Sequence, residues 1–141
     1  MSLKTEKCRL TPEGGIAIQL TNKTGAASVK GSVVRADTST DNAFILLDAG
    51  GQEPIGVVYE SGIADGSECW VVIAGRVQIL LEDSTASTRG NWVEGSATTA
   101  GRADATNAAP VPASHWKEIG HCIETLTGGT DVLAYCIIHF N

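Results

Sequence analysis

The segment 114-SHWKEIGHCIE-124 holds two of the chain's three histidines and one of its four cysteines. Imidazole and thiolate are ligands that zinc favours, and a zinc site needs about four groups at suitable spacing. His115, His121 and Cys122 do not meet that requirement. His121 and Cys122 are adjacent, so on a strand they point to opposite faces. The expected picture is a loop histidine, a strand histidine and a core cysteine, with no metal. A Cys–His nucleophile needs a lowered thiol pKa or a base oriented by a third group. Cys122 and Cys8 are the candidates, and neither has such a partner nearby in sequence. Glu60 and Glu124 could form a carboxylate pair, but each closes an apolar run, so strand-end capping or pairing with Arg or Lys is the expected role. No glycine-rich phosphate loop is present, and 13-EGGI-16 reads as a turn into a strand. These residues predict no catalytic residue, no metal and no cofactor: the chain is not expected to be an enzyme.

Trp70, Trp92 and Trp116 stand out where aromatics make up only 5% of residues. A tryptophan on an apolar strand usually packs in the core. Trp is also favoured as an interface anchor. That role is the expectation for Trp116, shortly after Pro112, and for Trp92, at the start of a strand.

The elements that position these residues are strands. No long window keeps a 3.6-residue apolar period. Short β-type runs separated by turn residues predict strands at 15-GIAIQL-20, 29-VKGSVVRA-36, 43-AFILL-47, 55-IGVVYE-60, 68-ECWVVIAGRVQILLE-82, 90-GNWVE-94, 118-EIGHCIE-124 and 132-VLAYCIIHF-140. In the longest run, Val71, Ile73, Val77, Ile79 and Leu81 share a face by strict alternation. The first half reads as buried on both sides and the second half on one. Gly75 in its middle predicts a bend where the strand passes from one sheet to another. The stretch 95-GSATTAGRADATNAAPVP-112 has almost no large apolar residue. It reads as a long surface loop with little core, or as an arm on a neighbouring subunit.

The 141 residues and 43% hydrophobic content suit one domain with one core. The formal net charge of −6 argues against a nucleic-acid partner, since phosphate contacts need clustered Lys and Arg. No apolar run reaches the roughly 20 residues of a membrane span, and 1-MSLKTEKCRL-10 does not read as a signal peptide. Without a secretion signal, disulfides are not expected among Cys8, Cys69, Cys122 and Cys136.

Residues 54-PIGVVYE-60 are echoed by 118-EIGHCIE-124. In both places a G-x-x-V segment lies upstream, at 31-GSVV-34 and 90-GNWV-93. A β-rich run lies thirteen residues beyond each Ile-Gly glycine, at Cys69 and Leu133. Two pseudo-repeated β units, about 31–82 and 90–140, are the expectation. They belong to one compact all-β domain, barrel- or sandwich-like, over 15–141, behind an extended arm at 1–14.

The run 55-IGVVYESGIADGSECWVVIAGRVQILL-81, with 90-GNWV-93 and 118-EIGHCIE-124, resembles the head-decoration, or capsid-cement, proteins of tailed bacteriophages. The likeness covers about residues 15–140 and rests on structural motifs. The 95–109 segment has no place in it. It implies a virion structural protein made in the host cytoplasm, with the major capsid protein as partner. Such a protein binds the outer surface of the assembled capsid, commonly as a homotrimer, with no nucleic acid or membrane partner. On that reading Leu3, Cys8 and Leu10 in the N-terminal arm contact the capsid. Trp92, Trp116 and the 95–112 loop face neighbouring subunits. A receptor- or glycan-binding virion appendage is the alternative.

Overall fold

Valine, isoleucine and threonine at alternating positions, punctuated by glycine turns, fold into strands wherever two such runs can pair. The computed structural model describes residues 6–139. It contains β1 (Cys8–Leu10), β2 (Gly15–Asn22), β3 (Val33–Ala36), β4 (Ala43–Leu46), β5 (Gly56–Val58), β6 (Glu68–Leu80), β7 (Trp92–Gly95), β8 (Ala103–Thr106), β9 (Glu118–Cys122) and β10 (Leu133–Ile138). One 3-10 helix spans Pro112–Lys117. The chain is all-β, and each of the eight strands read from sequence coincides with an observed one. β1 and β8 are additions.

The strands form one sheet in the order β1-β2-β4-β3-β5-β6-β10-β9-β7-β8, with β2 also paired to β6. The pairings β2-β4-β3-β5-β6 therefore run in a ring. A second ring runs β6-β10-β9-β7-β8 and returns to Leu81, just past β6, through a parallel bridge to Ala103. The first ring has a parallel contact too, Thr21 with Ala43. Ring closure leaves fewer exposed strand edges to pair with other chains. β6 serves both rings. Its first half pairs with β2 and β5, and from Gly75 onward it pairs with β10.

Gly75 makes this handover possible. Its φ is +89°, and a Cβ would stand 2.5 Å from the Gly14 carbonyl oxygen. The β2–β6 register slips here, so Ile73 has no partner. The slip also breaks the alternation expected from sequence. Val72 and Val77, which strict alternation puts on opposite faces, both enter the main core. Val71 joins a second cluster with Val34, Phe44, Val58 and Cys69. The main core crosses both rings, from Val33, Val57 and Val72 to Ile79, Val93, Ile119, Cys136 and Ile138.

The hydrogen bonds around the two Ile-Gly segments run in parallel. Gly31 N–H donates to Val58 O and Gly90 N–H to Cys122 O, both at 2.8 Å. Ser28 Oγ donates to Glu60 O (2.7 Å) and Ser87 Oγ to Glu124 O (3.0 Å). The Glu60 carboxylate accepts the Trp70 N–H (3.2 Å), and that of Glu124 the Tyr135 N–H (2.7 Å). Each glutamate satisfies a backbone donor on the neighbouring strand.

Two segments differ from their sequence reading. Residues 8–10 pair with β2 instead of standing apart as an arm. The 95–112 stretch is not one loop. Its centre is β8, paired along β7, with Ala103 fully buried in the main core. Alanine is small enough to sit where the Leu81 backbone passes, so a segment without large apolar residues still seals a core. Arg102 anchors it, donating to Leu81 O (3.0 Å) and pairing with Asp83 (2.9 Å) and Asp131.

Candidate interaction surfaces and a histidine cluster

β1 lies at one end of the strand order with all three residues exposed. Leu10 is 77% exposed, and Ile16, paired opposite it, is also exposed. Cys8 borders a groove of about 550 Å³ shared with Lys7, Ile18, Leu20 and Glu68. Leu3, the third expected contact, lies outside the described residues. The strand is held by Arg9, whose guanidinium sits over the Trp70 ring (4.2 Å) and near that of Tyr59 (5.8 Å), a favourable cation–π arrangement. Lys7 pairs with Glu68 at 2.6 Å. Trp70 thus lies half-buried under Arg9, on the inner side of a surface strand.

Beside this, Tyr59 Oη donates to Glu13 Oε2 at 2.8 Å. The bond from Tyr59 holds the Glu13 carboxyl below its ordinary value of 4.5, and the same bond raises Tyr59 above 10.0. A depressed carboxylate contributes stability that is present above 4.5 and lost as pH falls through its folded value. A raised phenol contributes stability that is present below 10.0 and lost as pH rises through its folded value. Tyr59→Phe is therefore expected to be less stable than wild type between those limits. The two should converge at both pH extremes in urea denaturation. A gap that stays constant across pH would contradict the bond.

A further exposed apolar site is the 110–117 segment. Trp116 in the 3-10 helix is 60% exposed, as is Val111. Trp92 is half-buried on β7, and its ring packs against His121 at 4.3 Å between centroids, tilted 52°. Of the two expected interface tryptophans, Trp116 offers its ring to solvent, and Trp92 spends much of its surface on His121.

Around His121 the structure gathers Glu118 and His115 from the same segment and His139 from beyond β10. The Glu118 side chain is only 2% exposed. His115 Nδ1 lies 3.0 Å from its Oε2, His139 Nε2 lies 3.4 Å from its Oε1, and His121 Nε2 lies 4.0 Å from Oε1. All three histidines of the chain thus meet one buried carboxylate. The geometry depends on a β-bulge. Val93 pairs with Gly120, but Glu94 pairs with Glu118, so β9 spends an extra residue at Ile119. That extra residue, Ile119, is buried in the core, and the bulge brings the buried Glu118 carboxylate to the same side as His121. His139 arrives from the end of β10, where its N–H donates to Ile119 O at 2.8 Å.

Sequence reading singled out His115 and His121 but not Glu118 or His139. Strict alternation places positions three apart on opposite faces, and only the bulge reverses that. Cys122 does point away from His121, as adjacency requires. It is buried against Cys136, the two Sγ atoms 3.9 Å apart. Contact with Cys122 and burial push the Cys136 thiol up, and burial pushes Cys69 up to about 11. Neither is a ready nucleophile.

No protein-family model matches the chain, and no curated protein matches its sequence. Among solved structures, the fold is similar to the N base of head fibre gp8.5 of bacteriophage phi29. The TM-score is 0.57 at 13% identity, over 87% of this chain and 92% of that one. At that identity the likeness is one of fold, extending over nearly the whole of both chains.

Proposed function

We propose that this chain is a structural protein of a tailed-phage virion, seated on the outer surface of the assembled capsid and holding neighbouring capsid subunits together. The observation that carries the reading is the fold shared with the base of a phage head fibre across 87% of the chain. The surface supports it. A net charge of −6 suits an outward face and not one that lies on DNA. The exposed end strand β1, with Leu10 and Ile16, is suited to dock a capsid segment by strand addition. Trp116 and Val111 offer a second apolar patch for a neighbouring copy, a homotrimer in the simplest arrangement.

A second reading is favoured by the nature of that neighbour, the base of a head fibre. Here the chain seats an appendage and need not strengthen the shell. One experiment separates the two. Purified protein is sedimented with expanded, stripped heads, and their disruption temperature is measured. A ligand that binds only the intact shell stabilises it by mass action, so cement predicts pelleting together with a raised disruption temperature. Pelleting with an unchanged temperature favours the appendage base. Protein that stays in the supernatant overturns both. Leu10→Ser is expected to weaken pelleting at least tenfold while leaving the thermal midpoint of the free protein unchanged, since its side chain is solvent-exposed.

A further inference from the structure

We propose that Glu118, His121 and His139 form a binding site for a zinc-class divalent cation, with His115 orienting the carboxylate. One ligand atom from each of the three lies within 4.8 Å of the others. Bonds of about 2.1 Å place tetrahedral ligands roughly 3.4 Å apart. The Glu118–His139 pair already stands at 3.4 Å, and the Glu118–His121 pair, at 4.0 Å, closes with a small ring rotation. The His121 and His139 side chains are 36% and 47% exposed, which leaves room for a small adjustment of each ring, while the carboxylate between them is buried. His115 contacts Glu118 through Oε2, the oxygen that the other two leave. A donor on the non-ligating oxygen is the usual device for aiming a metal-bound carboxylate. Trp92, against His121, limits that ring to a narrow set of orientations.

The donor set selects the ion. Two imidazoles and one carboxylate suit Zn²⁺, Co²⁺ or Ni²⁺, whereas Ca²⁺ and Mg²⁺ require mostly oxygen. Three protein ligands leave a fourth position for water. Bound there, the ion would tie the end of β10 to the bulge of β9 and hold the Trp116 segment in place through Glu118 and His115. The site does not depend on the proposed virion role.

The test uses untagged full-length protein carrying Cys8→Ser, which removes the exposed thiol. Zn²⁺ titration by calorimetry is expected to give one site per chain, and Zn²⁺ but not Mg²⁺ should raise the melting temperature. His121→Ala and His139→Ala should each weaken binding at least tenfold, and His115→Ala by about 10- to 100-fold. Because His121→Ala also removes a packing partner of Trp92, His139→Gln at the exposed end of β10 serves as the variant least able to disturb folding. Circular dichroism confirms that each variant is folded. Co²⁺ should show visible d–d absorption without a thiolate charge-transfer band. Absence of zinc binding, binding that survives the His121→Ala/His139→Ala double substitution, or a thiolate band would each overturn the proposal.

Discussion

Gly120→Ala is expected to unfold the protein or bring it close to unfolding. A Cβ at this position would lie 2.0 Å from the carbonyl oxygen of Ile137 and 2.8 Å from the Cα of Ile138. Both obstacles are backbone atoms of β10, fixed by pairing on one side to β9 and on the other to β6. A flexible side chain could swing away, but a strand held on both edges cannot. Overpacking in a well-packed core costs about 1–3 kcal/mol, and more where backbone must shift. A loss of about 3 kcal/mol or more is expected against a typical total of roughly 5–15 kcal/mol. Gly62 provides the contrast. It has a positive φ of +86° but open space around it, so Gly62→Ala should show only the left-handed backbone penalty, about 1–2 kcal/mol. Urea midpoints for the two variants give the comparison. A wild-type midpoint for Gly120→Ala would mean that β9 and β10 do not pair in this register.

Phe44→Ala is expected to cost about 3–5 kcal/mol. Phe44 is fully buried and is the largest member of the cluster with Val34, Val58, Cys69 and Val71. The other fully buried members are short and sit on paired strands, so they cannot collapse far into the space that the ring leaves. Phe44→Leu keeps most of the volume and should cost less than about 1.5 kcal/mol. Trp116→Ala removes a larger ring but one 60% exposed, and should change stability by no more than about 0.5 kcal/mol. Thermal melts of the three variants order them directly. If Trp116→Ala proved the most costly, the 3-10 segment would be packed against the body of the protein and could not serve as a free surface.

The strands were legible because their signal is local. Period-two alternation in 15-GIAIQL-20 or 132-VLAYCIIHF-140, bounded by glycine and aspartate turns, needs no distant contact to be read. Gly75 was legible for the same reason: a glycine at the centre of a thirteen-residue strand marks a place where neighbouring backbone comes close. The spacing around the two Ile-Gly pairs likewise lies in the sequence, and the bonds from Gly31 and Gly90, or from Ser28 and Ser87, follow that spacing.

Other features depend on what a segment meets. Residues 103–106 carry two alanines, an aspartate and a threonine, a poor strand by composition. They become β8 because β7 presents an open edge to them and Ala103, fully buried, bridges to Leu81. Cys8–Leu10 becomes β1 because β2 has an edge to offer and Arg9 finds the Trp70 ring. The histidine cluster is the furthest from sequence. His139 reaches Glu118 only because β9 and β10 run antiparallel, and Glu118 shares a side with His121 only because one extra residue is spent at Ile119. Alternation along a strand is a property of the chain. Which residue breaks it, and what then stands opposite, is settled by pairing between strands remote in sequence, and that belongs to the folded structure alone.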